Sequence, residues 1–338
     1  MRYIFIALLI STLGLEAKDY RSNMQVKEMI ALLQREDGLD KERIERLFAH
    51  VEVQTSALKA FLPRKKQKRT PAQQKRLNIL YPKYGAWDRY IRYKLTPHRI
   101  SQGVAFIKKH EKIFEKVQRR FGVPMEIVTA IIGIETVYGG NVGKYPIFDT
   151  LSTLAFEPNR RNRFFRKQLL HFIRLAFSEK FNPKNVYGSY AGAIGLGQFM
   201  PSNYKAYGID FDQDGFIRLQ QAPDAIASIA FYLKKHHWHK NEPIATRVSY
   251  EGMRFRAYKT GYKKAYNRED LKGIEPKEPF AYHGKVRLIK LNRKHYDELW
   301  YATHNFRVLT RYNHSAYYAM AVYQLAQAIS KAKTKEEE

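Results

Sequence analysis

One carboxylate in this sequence stands in a setting that suits acid catalysis. Glu135 lies on a predicted helix, Met125 to Tyr138, that is almost entirely apolar. Burial disfavours the ionised carboxylate, and the last turn of a helix places it beside the negative end of the helix dipole. Both effects predict a raised pKa, which suits a general acid that protonates a glycosidic oxygen. A structural glutamate paired with an arginine or a tyrosine is the alternative.

A glycine-rich stretch, Gly188 to Ser202, is the second candidate for a functional site. It is not a dinucleotide fingerprint, because the third glycine is missing and no strand is predicted before it. Glycine and alanine instead let the backbone come close to a ligand or to another helix. On the first interpretation Ser189 and Gln198 are polar groups at the rim of a cleft, and on the second the stretch serves tight packing.

A third group of residues has the spacing of a calcium loop. Asp210, Asp212 and Asp214 occupy loop positions one, three and five, and Gly215 follows at position six. Position twelve is a glutamine, so the usual bidentate glutamate is missing. Asp224, at position fifteen, is a candidate to close the loop or, alternatively, to cap the helix that begins there. We expect bound calcium to stabilise the fold by mass action.

The sequence around these residues predicts a mainly α fold with a small inserted β region, which is an α+β fold. Apolar residues at spacings of three and four predict helices, and Asp40 is the predicted N-cap of one of them. Between about Pro243 and Leu309 alternating stretches separated by Gly, Pro and Asn predict short strands. The predicted helices fall in Val26–Phe61, Ile100–Phe121, Met125–Tyr138, Arg163–Ser178, Pro223–Trp238 and Ser315–Lys331, and the strands in Thr246–Tyr250, Val286–Leu291 and Trp300–Thr303.

The charge of the chain identifies a class of partner. Sixty Lys and Arg against 32 Asp and Glu give a formal charge of +28, which favours an anionic polymer or surface. With 44% hydrophobic and 14% aromatic residues the chain can build a core, so a disordered basic tail is excluded. The basic run Arg64–Arg69 is interpreted as a solvated loop or a patch that faces the polyanion.

The N-terminus narrows the choice of polyanion. Arg2, an apolar run over Ile4–Leu13 and the small residue Ala17 predict a secretory signal peptide over residues 1–17. No later stretch reaches the ~20 apolar residues of a membrane span. The chain has no cysteine, which excludes disulfides and a thiol nucleophile and, on this interpretation, a lipid anchor. We therefore expect a soluble periplasmic protein that does not bind nucleic acid.

Several motifs in a fixed order resemble the lytic murein transglycosylase B family, and the resemblance runs from about Trp87 to Ala328. The motifs are Ile134-Glu-Thr-Val-Tyr-Gly139, Asp149-Thr-Leu-Ser-Thr-Leu154, Arg160-Arg161, Gly188-Ser-Tyr-Ala-Gly192 and Arg311-Tyr-Asn-His-Ser315.

The resemblance implies a lysozyme-like core that cleaves the bond between N-acetylmuramic acid and N-acetylglucosamine in peptidoglycan without adding water. Glu135 would serve first as the acid and then as the base for the muramyl C6 hydroxyl, leaving a 1,6-anhydro sugar. This single-carboxylate scheme departs from the usual pair of carboxylates, and we expect Asp149 and Glu157 to be structural or exposed. A hydrolytic muramidase and a non-catalytic peptidoglycan or polyanion binder are the alternatives.

The resemblance also assigns binding residues. It implies that six residues contact the sugar: Ser189, Gln198, Tyr232, Tyr312, Asn313 and, with a looser alignment, Tyr90. Arg160 and Arg161 would bind carboxylates of the lactyl group or stem peptide as bidentate forks, or else mark an exposed helix start. In the calcium loop it implies a lengthened form with ligands from Asp210, Asp212, Asp214, the carbonyl of Phe216 and Asp224.

The domain prediction follows from these assignments. After the signal peptide, residues 18–120 form a helical N-terminal domain, and residues 121–242 with 305–338 form the catalytic core that holds the calcium loop. Residues 243–304 form the β-rich insertion. Peptidoglycan strands are the expected partner, catalysis needs no cofactor, and other cell-wall enzymes are a further class of partner that the sequence leaves open.

Overall fold

A computed structural model describes residues 17–63, 70–80 and 82–337. Residues 1–16 of the predicted signal peptide and the basic run Arg64–Arg69 lie outside these residues. The described residues form two compact units. The first falls within Met1–Arg64, Lys144–Ala193 and Met200–Ser202, and the second within Lys65–Gly143, Ile194–Phe199 and Asn203–Glu338.

Helices dominate the described residues. The α-helices are α1 (Met24–Asp37), α2 (Lys41–Phe48), α3 (Thr55–Phe61), α4 (Pro71–Leu80), α5 (Ala86–Ile91), α6 (Pro97–Lys109), α7 (Glu111–Phe121), α8 (Met125–Thr136), α9 (Ile147–Phe156), α10 (Asn162–Ser178), α11 (Pro201–Tyr207), α12 (Ala222–Lys235), α13 (His304–Tyr312) and α14 (Ala316–Glu337). The strands are β1 (Ala17–Lys18), β2 (Val51–Glu52), β3 (Tyr145–Pro146), β4 (Tyr187–Gly188), β5 (Ala245–Tyr250), β6 (Ile274–Pro276), β7 (Arg287–Asn292) and β8 (Asp297–Ala302). Among them no helix has the length and apolarity needed to cross a membrane.

The first unit is built from α1 to α3, α9 and α10. Its core packs α9 against α10, and the two-stranded pairs β1 with β2 and β3 with β4 also belong to this unit. The predicted N-cap is confirmed, because the Asp40 carboxylate accepts a hydrogen bond of 2.6 Å from the backbone N–H of Arg43.

In the second unit α6, α8 and α14 pack against one another, and α7 and α12 also contact α8. The single helix predicted over Ile100–Phe121 is two helices, because His110 leaves the helical region at φ −119° and ends α6 before α7 begins. Its N–H still bonds the carbonyl oxygens of Phe106 and Ile107, so the two helices join without a loop.

Helix α8 ends two residues earlier than predicted. Val137 and Tyr138 both adopt left-handed conformations, at φ 52° and 57°. The Tyr138 hydroxyl donates to the carbonyl of Arg99 at 2.9 Å and so anchors this turn to α6. The tyrosine lies between two glycines: a Cβ built at Gly133 or at Gly103 would come within 2.5 or 2.7 Å of its hydroxyl oxygen. Glycine is therefore required at both positions by close approach.

The predicted β region forms a four-stranded antiparallel sheet in the order β6-β5-β8-β7. The three predicted strands are confirmed, and the short β6 was not predicted. Alternation places Leu299 and Tyr301 in an apolar cluster on one face, which directs Glu298 and Trp300 to the other face. This insertion belongs to the same unit as α8. The contact-based units thus divide the chain differently from the domains predicted from sequence, which stay a prediction.

Candidate active site and metal site

Glu135 lies in the last turn of α8, one residue before the helix ends. Its side chain keeps part of its surface exposed, but protein atoms surround the carboxyl closely. Burial raises the pKa of Glu135 from its ordinary value of 4.5 to about 7. The predicted rise in pKa is confirmed, and burial is its main cause.

Two neighbours act against this rise in pKa. The hydroxyl of Tyr318 on α14 donates a hydrogen bond of 2.7 Å to Oε1 of Glu135, and the ammonium of Lys94 contributes an attractive charge. Both stabilise the ionised carboxylate and therefore lower the pKa. Neither residue was predicted from the sequence. Tyr318 is one of 24 tyrosines, and nothing in its local pattern separates it from those of the core.

Tyrosines surround the carboxyl in the second unit. The ring of Tyr312 lies parallel to that of Tyr318, with centroids 6.3 Å apart and an interplanar angle of 6°. Burial, and to a lesser extent the Glu135 charge, raise the pKa of Tyr90 to about 12, which keeps its hydroxyl protonated. The Lys94 ammonium stands 4.8 Å from the centroid of the Tyr90 ring. The carboxyl thus faces aromatic hydroxyls and one cation.

Part of the glycine-rich stretch is attached directly to the end of α8. The buried hydroxyl of Thr136 donates to the carbonyl of Leu196 at 2.9 Å. The Tyr312 hydroxyl donates to the carbonyl of Gly197 at 2.5 Å, and a Cβ built at Gly197 would lie 2.7 Å from that hydroxyl. Residues 194–199 are thereby held next to the turn that carries Glu135.

The other predicted sugar-binding residues of this unit differ in their environments. Gln198 has a left-handed backbone at φ 52°, and its amide nitrogen bonds the carbonyls of Val142 and Gly195. Tyr232 is buried and donates to the carbonyl of Arg311 at 2.8 Å. Its ring packs edge to face against that of Tyr312, with centroids 5.1 Å apart, and so helps to hold that ring in place. Asn313, which follows α13, is exposed.

Ser189, Arg160 and Arg161 belong to the first unit. The Ser189 hydroxyl accepts hydrogen bonds from the backbone N–H groups of Ala191 and Ala193. Both arginines are exposed at the start of α10. Arg160 Nε donates to the carbonyl of Phe61, and the Arg161 guanidinium covers a phenylalanine ring. Their role in binding carboxylates stays a prediction.

The first two carboxylates that follow Glu135 in the sequence are held in ion pairs of the first unit. Asp149 is buried and bonds Lys184 at 2.6 Å. Glu157 accepts from Lys18 at 2.6 Å and from the Tyr20 hydroxyl at 2.5 Å. These partners agree with the structural roles expected for both residues.

The aspartate loop gathers three of its four carboxylates. Oxygens of Asp210, Asp212 and Asp224 lie within 4.8 Å of one another. Asp224 is buried and accepts hydrogen bonds from the N–H groups of Phe211 and Arg218. Burial and the neighbouring carboxylates raise the pKa of Asp224 above its ordinary value.

A cation fits this cluster. Oδ1 of Asp210 is buried without a hydrogen-bond partner, and an unsatisfied buried oxygen beside two further carboxylates is the environment that hard cations occupy. Asp214, by contrast, pairs with the guanidinium of Arg218 in this structure. The predicted ligand set is therefore brought together only in part.

Comparisons with known proteins agree with this architecture. The family described as "Transglycosylase SLT domain" matches residues 21–327. Membrane-bound lytic murein transglycosylase B of Escherichia coli (strain K12) is 34% identical over 319 residues, which cover 93% of this chain and 85% of that protein.

Solved structures give the same result. The Escherichia coli lytic transglycosylase Slt35, solved with bulgecin A and with calcium, superposes with a TM-score of 0.83 at 34% identity, over 94% of this chain and 96% of that one. Soluble lytic transglycosylase SltB1 from Pseudomonas aeruginosa gives a TM-score of 0.79 at 36% identity, over 92% and 99% of the two chains. Since the family match covers most of the sequence, the chain belongs to the transglycosylase SLT domain family of lytic transglycosylases.

Proposed function

We propose that this protein is a lytic transglycosylase that cleaves the bond between N-acetylmuramic acid and N-acetylglucosamine in peptidoglycan and leaves a 1,6-anhydro sugar. The observation that carries the proposal is Glu135, a desolvated carboxyl with a pKa of about 7, hydrogen-bonded by Tyr318 and faced by tyrosines. Such a group is partly protonated and partly ionised near neutral pH, so it can donate a proton and later accept one.

The reaction needs both states of Glu135 in turn. The protonated carboxyl first gives its proton to the glycosidic oxygen, and the bond from C1 to that oxygen breaks. The C6 hydroxyl of the muramyl unit then attacks C1 while the Glu135 carboxylate accepts its proton. A new C6–O–C1 bond closes the anhydro ring, the carboxyl is restored, and no water is consumed.

The neighbours of Glu135 support this cycle. The Tyr318 hydrogen bond and the Lys94 charge stabilise the carboxylate after the first transfer, whereas burial favours the acid before it. Burial and the adjacent carboxylate raise the pKa of Tyr318 well above its ordinary value, so its hydroxyl remains a donor throughout. We further propose that Gln198, Tyr312, Asn313 and Tyr90 line the sugar site, because a tyrosine offers both a face and a hydroxyl to a sugar.

Replacement of Glu135 tests the assignment. We expect the E135Q protein to release no soluble fragments from purified peptidoglycan, while the parent releases anhydro-muropeptides visible by mass spectrometry. The control is E126Q, a glutamate at the other end of the same helix, which should retain turnover. Reducing ends in the parent digest would favour a hydrolytic muramidase, and no release by the parent would favour a binding protein. Turnover by E135Q would refute the role of Glu135.

We also propose that the aspartate loop binds calcium. Asp210, Asp212 and Asp224 would hold the ion, which would neutralise their mutual repulsion and stabilise the folded loop. Calcium should raise the melting temperature of the chelated protein, and D210N should abolish that increase. D214N tests whether the fourth carboxylate, paired with Arg218, exchanges that partner for the ion. An unchanged melting temperature after chelation would contradict calcium binding.

The location of the enzyme is part of the proposal. We propose export to the periplasm through the predicted signal peptide, with retention at the anionic wall by the formal charge of +28. Cell fractionation of the full chain tests this directly, and recovery in the cytoplasmic fraction would contradict it.

A further inference from the structure

A polar pocket in the second unit lies at the junction of the sheet and α14. It has a volume of about 300 Å³, at the lower end of the range for small-molecule sites. The residues that define this Trp300 pocket are Arg247, Lys277, Glu278, Trp300, Tyr323 and Gln327. None of them is assigned to the catalytic machinery above.

The pocket is separate from Glu135. Tyr318 points to Glu135 from α14, while Tyr323 and Gln327 follow five and nine residues later on the same helix. At 100° and 1.5 Å per residue, these side chains leave the helix on nearly the opposite side, about 7 to 14 Å further along its axis.

One wall of the pocket is held in place by buried bonds. The buried carboxylate of Glu298 accepts a hydrogen bond of 2.8 Å from the indole N–H of Trp300. It also forms an ion pair of 3.3 Å with Arg247. Arg247 and Trp300 are direct cross-strand partners on β5 and β8. The indole plane and the guanidinium are therefore positioned before any ligand arrives.

The opposite wall offers hydrogen-bonding groups. The Tyr323 hydroxyl donates to the carbonyl of Ala245 and accepts from the amide nitrogen of Gln327. This fixes the orientation of the Gln327 amide, whose oxygen bonds no group of the described chain. The Tyr323 ring meets that of Trp300 edge to face, with centroids 6.3 Å apart.

The charges of the pocket distinguish among ligands. Arg247 is paired with Glu298, and the lining holds one further cation, Lys277, and one further carboxylate, Glu278, so the four charges sum to zero. An anion site would carry an excess of positive charge. Aromatic rings with fixed amide, guanidinium and carboxylate groups and little net charge suit a neutral polyhydroxyl ring. We propose that the Trp300 pocket binds one neutral N-acetylated sugar unit of the glycan, outside the catalytic cleft.

This inference rests on the proposed function, because the wall glycan supplies the sugar. A second contact on the same polymer would raise the local concentration of glycan at the cleft. Its effect should therefore be seen on insoluble peptidoglycan and not on short soluble fragments.

The test follows the indole N–H signals of the E135Q protein by NMR during titration with tri-N-acetylchitotriose. The chain has three tryptophans, and W300F identifies the signal of Trp300. We expect this signal to shift, with a midpoint that Q327A raises about fivefold to tenfold. The matched control is Q324A, which removes a glutamine of the same helix that does not line the pocket. An unshifted Trp300 signal, or equal midpoints for Q327A and Q324A, would overturn the proposal.

A second measurement separates this inference from the proposed function. W300A in the otherwise active enzyme should lose about fivefold in initial rate on dilute insoluble peptidoglycan, the loss expected for one aromatic contact. Its rate on soluble muropeptides should be unchanged. Equal rates on the insoluble substrate would refute the pocket's role, while failure of the parent to form anhydro products would refute the proposed function instead.

Discussion

Glutamine at position 135 should make the protein more stable at alkaline pH. Burial holds the pKa of Glu135 at about 7 in the folded chain, against 4.5 when the side chain is free. Between these values the folded state binds more protons than the unfolded state, so the free energy of unfolding falls as pH rises. Above pH 7 the carboxylate is ionised in both states, and the loss is complete. The E135Q side chain is neutral at every pH and avoids this loss.

The size of the effect follows from the displacement of the pKa. Each unit of pKa shift corresponds to about 1.4 kcal/mol, so ionised Glu135 lowers the free energy of unfolding by about 3 kcal/mol above pH 7. Below pH 4.5 this reduction is close to zero. For a unit of some 200 residues this corresponds to a melting temperature higher by about 5 to 10 °C for E135Q at pH 8.

Differential scanning calorimetry of E135Q and its parent at pH 4 and pH 8 measures this difference. The control is E126Q in the first turn of α8, where the positive end of the helix dipole favours a carboxylate and neutralisation brings no gain. An increase in melting temperature of the same size at both pH values would show that packing, and not ionisation, changed the stability. No gain at pH 8 would refute the burial argument for Glu135.

Three further results are expected. K94M removes a charge that stabilises the Glu135 carboxylate, so it should raise the pKa of Glu135 and move the alkaline limb of the pH–rate profile to higher pH, whereas K94R should not. T136V leaves the buried carbonyl of Leu196 without its donor and should destabilise the fold by about 1–3 kcal/mol in thermal unfolding, with T136S close to the parent. Binding of E135Q to insoluble peptidoglycan should weaken as sodium chloride rises, and sedimentation that is independent of salt would contradict retention by charge.

Features that depend on a local sequence pattern could be predicted from the sequence. Glu135 is a carboxylate among apolar neighbours in the last turn of its helix, and the burial that these neighbours bring also raises its pKa. Likewise, the alternating stretches of β5, β7 and β8 have the period of two that strands impose. Both signals are contained within a few consecutive residues.

What could not be predicted depends on contacts between distant segments. Tyr318 lies 183 residues after Glu135, and only the packing of α14 on α8 brings the two together. The ion pair that takes Asp214 away from the aspartate cluster depends on a side-chain conformation of Arg218. The division into two units is also invisible in the sequence, because each unit is assembled from discontinuous segments.

The packing of Tyr138 between Gly103 and Gly133 makes the effects of mutations at these three positions depend on one another. A methyl group added at either glycine must displace the ring that anchors the turn after Glu135. At Gly133 the three nearest atoms all belong to Tyr138, so a variant can regain its structure only if residue 138 becomes smaller, and the hydroxyl that holds this turn to α6 is then lost. At Gly103 the side chain of Ile329, whose Cδ1 would lie 2.6 Å from the new Cβ, must also move. Libraries that vary these positions one at a time will record three intolerant sites, whereas paired variation of positions 133 and 138 will show that these two share one volume.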